Sequence, residues 1–269
     1  MMLRASLVIP LLREPLEWLE QCVRSALAQS EVCEVLVVVS PHTPEELLAA
    51  LRRLRVDASR LAVLVEEGTG FASALNTGIR ASRTSHVGFL LADDWLESSA
   101  VERCLSHRAD IVSSGLRVWN DDGQREFLSL QRRPTQAVYE TLATIERKAA
   151  YLEHFFLFRR DALIAVGGVD ETIGSTGADD FDLIWTMLEH GATVAVIPDL
   201  LYNYRDHHGE RLSLRPADLQ RRDLARILDK HGVRGDARER MLQEHAVWFG
   251  APVHVVEAGL HSARECAPT

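Results

Sequence analysis

The segment "GFASALNTGIRASRTSHVGFLLADDW" (70–95) changes from a helix-forming pattern to a strand-forming one and ends on two adjacent carboxylates. Residues 71–81 predict a helix, and the nearly continuous apolar run 86–91 predicts a buried strand. Asp93 and Asp94 follow that strand almost at once. Two neighbouring like charges repel, and removing either from water is unfavourable. We therefore expect a positive partner at this point.

The same alternation of strand and helix runs back toward the N-terminus. The pattern predicts strands over 6–10, 35–39 and 61–65, and helices over 16–27 and 44–54. The run "VLVVV" (35–39) lacks polar alternation, which is typical of a parallel strand covered on both faces. Strands that alternate with helices predict a doubly wound α/β sheet. Ligands of such sheets bind beyond the carboxyl ends of the strands, where Asp93 and Asp94 lie.

After residue 100 the pattern changes. Segments 109–119 and 125–130 flank the turn-forming residues 120–123 and predict an antiparallel hairpin added to the parallel sheet. Further on, we expect a helix over 135–148, a strand over 155–158, a helix over 180–189, a strand over 193–197, a helix over 216–231 and a small helical tail.

Composition limits the classes of function. The chain has 269 residues, 46% of them hydrophobic and 26% charged, as in an ordinary soluble globular protein. Its net charge of −9 offers no general basic footprint for nucleic acid. No apolar run approaches the roughly 20 residues needed to span a bilayer, although contact with a membrane surface stays open. The N-terminal apolar run predicts a first strand and not a signal peptide.

Four cysteines carry no metal-binding signature. The cysteines are Cys22, Cys33, Cys104 and Cys266. No two of them have the spacing of metal ligands. Reduced thiols are the expectation, and with them a cytoplasmic protein.

Two acidic clusters are candidates for chemistry. Mn²⁺ or Mg²⁺ takes hard oxygen ligands, so Asp93 and Asp94 predict a cation that also binds a diphosphate. Such a cation would stabilise a departing nucleoside diphosphate. The alternative is that Asp94 caps the following helix and Asp93 is solvated. The second cluster, Asp179, Asp180 and Asp182, stands at a predicted helix start, and helix capping is its alternative as well.

Six segments occur in an order that resembles the family-2 glycosyltransferases of the GT-A fold. They are "LVIPLL" (7–12), "EVLVVVSPHTPEE" (34–46), the segment 70–95 quoted above, "FFLFRRDALIAVGGVDE" (155–171), "GADDFDLIWTMLEHG" (177–191) and "YNYRDHHGERLS" (202–213). The resemblance covers about residues 5–213. It implies an α/β protein with a Rossmann-like mixed sheet flanked by helices. It also implies an inverting glycosyltransferase that moves a sugar from a nucleotide diphosphate donor to an acceptor hydroxyl.

The resemblance further implies roles for individual residues. The implied donor contacts are Pro10, Leu11, Val39, Asn76, Gly78, Asp93 and Arg205. The implied ligands of a Mn²⁺ or Mg²⁺ ion are Asp93, Asp94 and His207. Asp180 would be the general base, and Asp179 would bind acceptor hydroxyls. Trp95 either packs under the metal loop or borders the acceptor, and a surface salt bridge is the alternative for Arg205.

Inverting transfer fits this division of the carboxylates. It needs one base opposite the leaving group to take the proton of the acceptor hydroxyl. The leaving diphosphate needs positive charge on its own side. The chain offers one acidic cluster for each task.

Three residues depart from the family pattern and keep a second hypothesis open. Val39 stands where the family usually has a base-reading Asp, Leu91 replaces the first Asp of the D-x-D element, and Leu75 replaces an Arg. Each lost hydrogen bond removes about 0.5–1.5 kcal/mol. Three explanations are open. Backbone groups, Ser40 or His42 replace the lost contacts, the donor carries a base other than uracil, or the protein has lost turnover. The alternative function is therefore a non-catalytic nucleotide-sugar or glycan-binding relative.

A third hypothesis is a nucleotidyltransferase. It ranks last because the segment 11–14 is not the Gly-rich basic loop that a triphosphate would need.

We expect a glycosyltransferase domain over 1–213 and a helical extension over 214–269. The expected partners are a nucleotide-diphosphate sugar and an acceptor whose class the sequence leaves open. A glycan, a lipid-linked sugar, a protein or a small molecule would each fit. No residue identifies the sugar.

Overall fold

Strands and helices alternate through the first ninety residues, as the sequence predicts. The structure, a computed structural model, describes residues 4–56, 58–173, 176–209 and 211–244. The first elements are β1 Ala5–Leu11, α1 Leu16–Leu27, β2 Val32–Val39, α2 Glu45–Val56, β3 Leu61–Val65, α3 Phe71–Ala81 and β4 His86–Phe89. Strands β1 to β4 pair in parallel in the order β3-β2-β1-β4. This half of the protein is the predicted doubly wound unit.

The remaining elements add antiparallel pairing and more helices. They are β5 Trp95–Leu96, α4 Ala100–Leu105, β6 Ile111–Asp121, β7 Glu126–Arg132, α5 Gln136–Thr141, α6 Ile145–Tyr151, β8 Phe156–Arg159, α7 Arg160–Ala165, α8 Asp179–Glu189, β9 Val194–His207, α9 Ala217–Lys230 and α10 Gly235–Glu244. Within the described ranges, nine strands form one mixed sheet that continues β4-β8-β6-β9-β5, with β7 paired to β6. The predicted mixed α/β sheet and the β6–β7 hairpin are confirmed.

The core has two layers, one on each face of the sheet. Successive residues of β1 alternate between them: Leu7 and Ile9 face one cluster and Val8 faces the other. Helices α1, α2 and α4 cover the first face. Helices α3, α7, α8 and α9 cover the second. Full coverage explains why these strands are apolar on both faces.

One predicted helix is wrong. The sequence predicts a single helix over 135–148, but the chain forms α5 and α6 with a break between them. Leu142 is extended (ψ 124°), and the Thr144 hydroxyl accepts a hydrogen bond from the Arg147 N–H at 3.3 Å. Thr135 caps α5 in the same way. Two threonine caps nine residues apart therefore start two helices instead of one.

The last strand is longer than predicted. The sequence predicts a strand over 193–197, whereas β9 runs from Val194 to His207. Pro198 marks the discrepancy, because proline removes a donor from a sheet ladder. Its site falls where the pairing with β6 shifts register, between Ser113 and Gly115. The continuation of β9 past this irregularity carries Tyr202, Arg205 and His207 alongside β6.

Helix α9 is attached to α8 by charged and aromatic contacts. The buried carboxylate of Asp182 accepts from Lys230 Nζ at 2.6 Å and lies 3.1 Å from His231 Nε2. The His231 ring stacks on Trp185 at 4.3 Å. Leu224 of α9 belongs to the second core cluster. The expected boundary between 213 and 214 stays a prediction, and α9 packs as part of the same core.

The predicted helical tail is described in part. Helix α10 reaches residue 244, and the rest of the tail lies outside the described residues. Over the described part of the chain, none of the helices combines the length and the hydropathy that crossing a bilayer requires.

The close packing of α3 on β1 gives a first prediction. A Cβ on Gly78 would lie 2.6 Å from Val8 Cγ2 and closer still to Cγ1. Gly78→Ala should therefore lower the free energy of unfolding by about 1–3 kcal/mol, measured by urea denaturation. Helix propensity alone predicts the opposite sign. The exposed Arg80→Ala in the same helix is the control and should change stability by less than about 0.5 kcal/mol. A Gly78→Ala protein as stable as the wild type would contradict the packing.

Candidate functional site

Three carboxylates gather beyond the carboxyl ends of β1 and β4. These strands are parallel neighbours, so the segments that leave them emerge side by side. Asp93 and Asp94 follow β4, and Glu14 follows β1. The Glu14 carboxylate accepts hydrogen bonds from the N–H groups of Leu12 at 2.9 Å and Arg13 at 3.0 Å. Burial, and then the charge of Asp93, raise the pKa of Glu14. This edge of the sheet therefore carries concentrated negative charge.

Asp94 is the buried member of the group. Only 1% of the residue is exposed to solvent. One oxygen accepts from the Tyr202 hydroxyl at 2.6 Å and the other from the Arg205 backbone N–H at 2.7 Å. Burial and the charge of Asp93 raise the pKa of Asp94, and these two hydrogen bonds oppose the rise. Both oxygens thus attach the loop after β4 to β9, and each already accepts one hydrogen bond. The geometry favours this attachment over helix capping or metal ligation.

Asp93 and His207 form the pair of groups that fits a divalent cation. His207 Nε2 lies 3.2 Å from Asp93 Oδ2. Adjacent ligands of an octahedral ion with bonds of about 2.1 Å lie about 3 Å apart. A carboxylate and an imidazole together suit Mn²⁺. No cluster of three or more His, Cys, Asp or Glu ligands occurs among the described residues. The protein would therefore supply two ligands, and substrate phosphates and water the others.

The second ring nitrogen of His207 sets a condition on that fit. His207 Nδ1 accepts a hydrogen bond from the Gly209 N–H at 3.0 Å. With Nδ1 unprotonated, the neutral ring carries its proton on Nε2 and donates it to Asp93. Metal ligation through Nε2 needs the proton on Nδ1 instead. The Gly209 N–H must then turn away from the ring when a cation binds.

Arg205 is enclosed. Its guanidinium carbon lies 4.9 Å from the ring centroids of both Trp18 and Trp95, so the cation sits between two aromatic faces. It donates to the Asp93 carbonyl oxygen at 3.1 Å. It also pairs with Glu126 and Asp121, and it donates to Gln21. This is the positive group that the sequence leads us to expect beside the two aspartates. With 2% of its side chain exposed, it offers no surface for the predicted donor contact or the surface salt bridge.

The apolar residues predicted to contact the donor lie at the expected edge with their side chains buried. Leu11 and Val39 are paired in the ladder at the carboxyl ends of β1 and β2 and are 3% and 4% exposed. Pro10 is buried next to them. Only backbone groups can face a ligand here. The position of Val39, where the family usually has an Asp, is part of the hydrophobic core.

Asn76 and Gly78 hold elements together. The Asn76 amide donates to the Val169 carbonyl at 2.8 Å and to Glu171 Oε1 at 2.9 Å, and it accepts from the Val169 N–H at 2.9 Å. These bonds attach α3 to the segment after α7. Gly78 lets α3 approach β1. The contacts use all the polar groups of Asn76, so donor contact by these two residues stays a prediction.

The second acidic cluster stands at the start of α8. Asp179 is 4% exposed, and burial together with the charge of Asp180 raises its pKa to about 7. Asp180 has 36% of its side chain exposed, and Oδ1 accepts from the Phe181 N–H at 2.7 Å. Asp182 is buried and bound to α9. Asp180 is therefore the accessible carboxylate of the three, and the burial of Asp179 does not support a contact with the acceptor.

Two rings connect the acidic clusters. The Tyr202 hydroxyl bonds Asp94, and the Tyr202 ring stacks on His154 at 5.3 Å. His154 Nε2 in turn lies 3.3 Å from Asp180 Oδ2. The two clusters thus belong to one region of the protein. Sequence reasoning paired Asp93 with Asp180 but gave no indication of the residues between them.

Trp95 borders the same region. Its ring lies 5.9 Å from Trp119 and covers one face of Arg205. The side chain is half-buried. Packing beside the acidic loop, one of its two predicted roles, agrees with these contacts, and contact with an acceptor stays a prediction.

Sequence reasoning missed Glu14, Trp18 and His154. Glu14 had a signal, because it follows the strand next to β4. Trp18 lies on α1, and its ring approaches His207 at 4.7 Å. Its helical spacing is that of a core residue, so nothing in the pattern sets it apart. His154 precedes a short strand and had no signal.

A surface cavity of about 310 Å³ lies among Arg103, Arg117, Arg133 and other residues, and contains none of the predicted site residues. Arg103 pairs with Asp199 and Arg117 with Glu97. Arg133 donates to the Pro198 carbonyl oxygen at 3.2 Å. Because the cavity contains none of the predicted site residues, the acidic region remains the better candidate for chemistry.

A family model described as "Glycosyl transferase family 2" matches residues 6–167. The match covers more than half of the chain and includes β1, α3, the acidic loop and the β6–β7 hairpin. The chain therefore belongs to glycosyl transferase family 2.

Curated relatives agree. A chondroitin synthase of Escherichia coli is 27% identical over 80% of this chain. An uncharacterized glycosyltransferase of Bacillus subtilis, EpsJ, is 24% identical over 87% of the chain and 72% of its own length. The O-antigen biosynthesis protein RfbC of Myxococcus xanthus is 31% identical over 75% of the chain. The chain spans only 30% of the chondroitin synthase and 16% of RfbC.

Solved structures share the fold. A mannosyltransferase from Pyrobaculum calidifontis, in complex with GDP-Man and Mn²⁺, aligns with a TM-score of 0.62 at 19% identity. The alignment covers 99% of this chain and 76% of that one. TarS 1-349 of S. aureus in complex with UDP aligns with a TM-score of 0.61 at 15% identity, over 92% of this chain and 70% of that one. The fold is of GT-A type, as the sequence resemblance implies.

The buried Asp179 gives a prediction about pH. Its pKa is raised from 3.8 to about 7, so between these values the folded state binds more protons than the unfolded state. Stability from this residue is therefore present below about pH 4 and is lost as pH rises through about 7. At about 1.4 kcal/mol per pKa unit, the loss is on the order of 2–4 kcal/mol.

The measurement compares urea unfolding at pH 5 and pH 8. Asp179→Asn lacks the titrating group and should gain on the wild type by that amount at pH 8. The exposed Asp161→Asn is the control and should follow the wild type at both values. Parallel pH dependence of Asp179→Asn and wild type would refute the burial of an ionisable Asp179.

Proposed function

We propose that this protein is an inverting glycosyltransferase that moves a sugar from a nucleotide diphosphate to an acceptor hydroxyl. The observation that carries the proposal is the placement of Asp93 and Asp180 in one region, connected through Tyr202 and His154. Membership of glycosyl transferase family 2 supports it. So does the fold shared with a mannosyltransferase that was solved with GDP-Man and Mn²⁺.

On the donor side, Asp93 and His207 would hold a divalent cation, Mn²⁺ or Mg²⁺, against the diphosphate. When bound, the cation supplies positive charge that stabilises the leaving diphosphate. Asp94 positions this pair, because its hydrogen bonds hold the loop of Asp93 against the strand of His207. Arg205 offsets the negative charge of the loop from a closed position. These two residues therefore position the donor site without contacting the donor.

On the acceptor side, Asp180 is the proposed general base. Geometry comes before acidity in choosing a base, and Asp180 is the accessible carboxylate while Asp179 is buried. The acceptor oxygen forms a bond to the anomeric carbon as the bond from that carbon to the diphosphate breaks. The electron pair of the broken bond leaves with the nucleoside diphosphate, and the hydroxyl proton passes to Asp180. One displacement of this kind inverts the anomeric centre.

Donor recognition would rely on backbone groups and on the polar side chains that follow β1 and β2 at the edge of the sheet. Val39 is in the core, and Leu91 takes no polar side chain to the loop. The side chains of Arg13, Ser40 and His42 lie at that edge. The N–H groups of Leu12 and Arg13 there already donate to Glu14. None of the described side chains identifies the nucleotide base or the sugar of the donor.

Asp180→Asn tests the base. The substitution keeps the size of the side chain and removes the proton acceptor. Transfer should fall by about 10²–10⁴-fold, because general bases contribute rate factors of this size. Donor affinity, measured by calorimetry, should stay within about threefold of the wild type. A variant that turns over normally would overturn the assignment of Asp180.

Asp93→Ala tests the donor side. In a thermal-shift screen of nucleoside diphosphates with Mn²⁺, a ligand at 100 times its Kd should raise the wild-type Tm by about 5–10 °C. Asp93→Ala should lose the Mn²⁺-dependent part of that shift, and His207→Ala should lose a smaller part. The exposed Asp161→Ala is the control and should retain the full shift.

The same screen addresses the alternative function. A Mn²⁺-dependent shift accompanied by neither transfer nor donor hydrolysis would favour a non-catalytic nucleotide-sugar-binding protein. The absence of any shift over the panel would count against both.

A further inference from the structure

His154 occupies a position that packing alone does not explain. Its ring lies between Phe156 at 4.7 Å and Tyr202 at 5.3 Å, a space that an apolar ring would also fill, and the carboxylates of Asp180 and Asp179 lie near it. Nδ1 of the imidazole is buried and has no hydrogen-bond partner among the described residues. A buried polar atom without a partner costs about 1–3 kcal/mol. The remaining polar atom, Nε2, must therefore account for the imidazole.

Nε2 lies beside the carboxylate of Asp180. The distance from Nε2 to Asp180 Oδ2 is 3.3 Å. The other oxygen, Oδ1, accepts from the Phe181 N–H at 2.7 Å. The Phe181 N–H thus holds one oxygen, and the imidazole of His154 lies within ion-pair distance of the other. A carboxylate that is 36% exposed would otherwise sample several rotamers.

The ring of His154 is itself fixed from the donor side. Tyr202 stacks on one side of the imidazole, and its hydroxyl is bonded to Asp94 in the loop that carries Asp93. The orientation of the Asp180 carboxylate therefore depends on contacts that lead to the donor-site loop, and not only on its own helix. This matters because a proton acceptor misplaced by about 1 Å can lose about 10²-fold in rate.

From these contacts we infer that His154 is a positioning residue that holds the Asp180 carboxylate toward the donor site through Nε2–H. The inference rests on the proposed function and deepens it. His154 takes no proton from the substrate. It restrains the group that does, and the unpartnered Nδ1 follows from placing the ring proton on Nε2.

Three substitutions separate this role from simple packing. His154→Phe keeps a ring between Phe156 and Tyr202 but removes the donor to Asp180. We expect kcat to fall by about 10–100-fold while the KM for the donor changes less than about threefold. His154→Gln places an amide N–H near the position of Nε2 and should recover much of the rate. His190→Phe makes the same substitution on an exposed histidine at the end of α8 and should behave as the wild type.

A double-mutant cycle tests the connection to Asp180. In the Asp180→Asn background, His154→Phe should lower the residual transfer rate by less than about twofold, because the group it positions is already gone. Equal effects of His154→Phe in both backgrounds would overturn the inference. So would a wild-type rate in His154→Phe. Both results would leave the proposed function standing.

A measurement independent of turnover uses ¹H–¹⁵N NMR of the histidine rings. The His154 signals, assigned by their loss in His154→Gln, should show the Nε2–H tautomer and should shift in Asp180→Asn. Unchanged ring signals in Asp180→Asn would refute the contact. If the wild-type protein binds no nucleotide and transfers no sugar, the proposed function fails, and this measurement still decides whether His154 holds Asp180.

Discussion

The site depends on the hydrogen bonds that the buried carboxylate of Asp94 accepts. The carboxylate accepts from a side-chain hydroxyl and a backbone N–H of the same strand, β9, and so connects the parallel half of the sheet to the mixed half. Asp93 and His207 face each other because this connection, together with the pairing of β5 with β9, sets the register between loop and strand. Desolvation makes such a carboxylate unfavourable unless it is hydrogen-bonded. The two donors of β9 meet that requirement, and Arg205 adds positive charge beside the loop.

Periodicity predicted the parallel half of the fold because both of its causes are local. A strand covered on both faces must be apolar throughout, and a helix on its surface repeats every 3.6 residues. The failures have a different origin. Thr144 starts a second helix in a segment whose apolar spacing continues through it, and β9 continues beyond a proline through a register shift that depends on β6. The extension of β9 is decided outside its own segment, whereas the Thr144 cap is a local signal that competes with the apolar spacing.

The candidate site shows the same division. Asp93 and Asp180 could be found because each follows a recognisable pattern along the chain. The positions of Arg205 and His154 could not, since each is defined by at least one ring from a distant segment. Arg205 is sequestered by Trp18 and Trp95, and His154 by Phe156 and Tyr202. A motif indicates which residue types are present, whereas the folded chain determines which of them remain accessible.

The attachment of α9 to α8 has a consequence for how such a protein can be altered. Asp182 lies two residues after Asp180 and is held by Lys230 and His231, far along the chain from the strands that would carry the nucleotide. The residues that anchor the helix of Asp180, the proposed proton acceptor, and the strands that would carry the nucleotide thus belong to separate stretches of the chain. Substitutions in α9 would act on α8 directly and would reach the donor-site loop indirectly, through the rings of His154 and Tyr202.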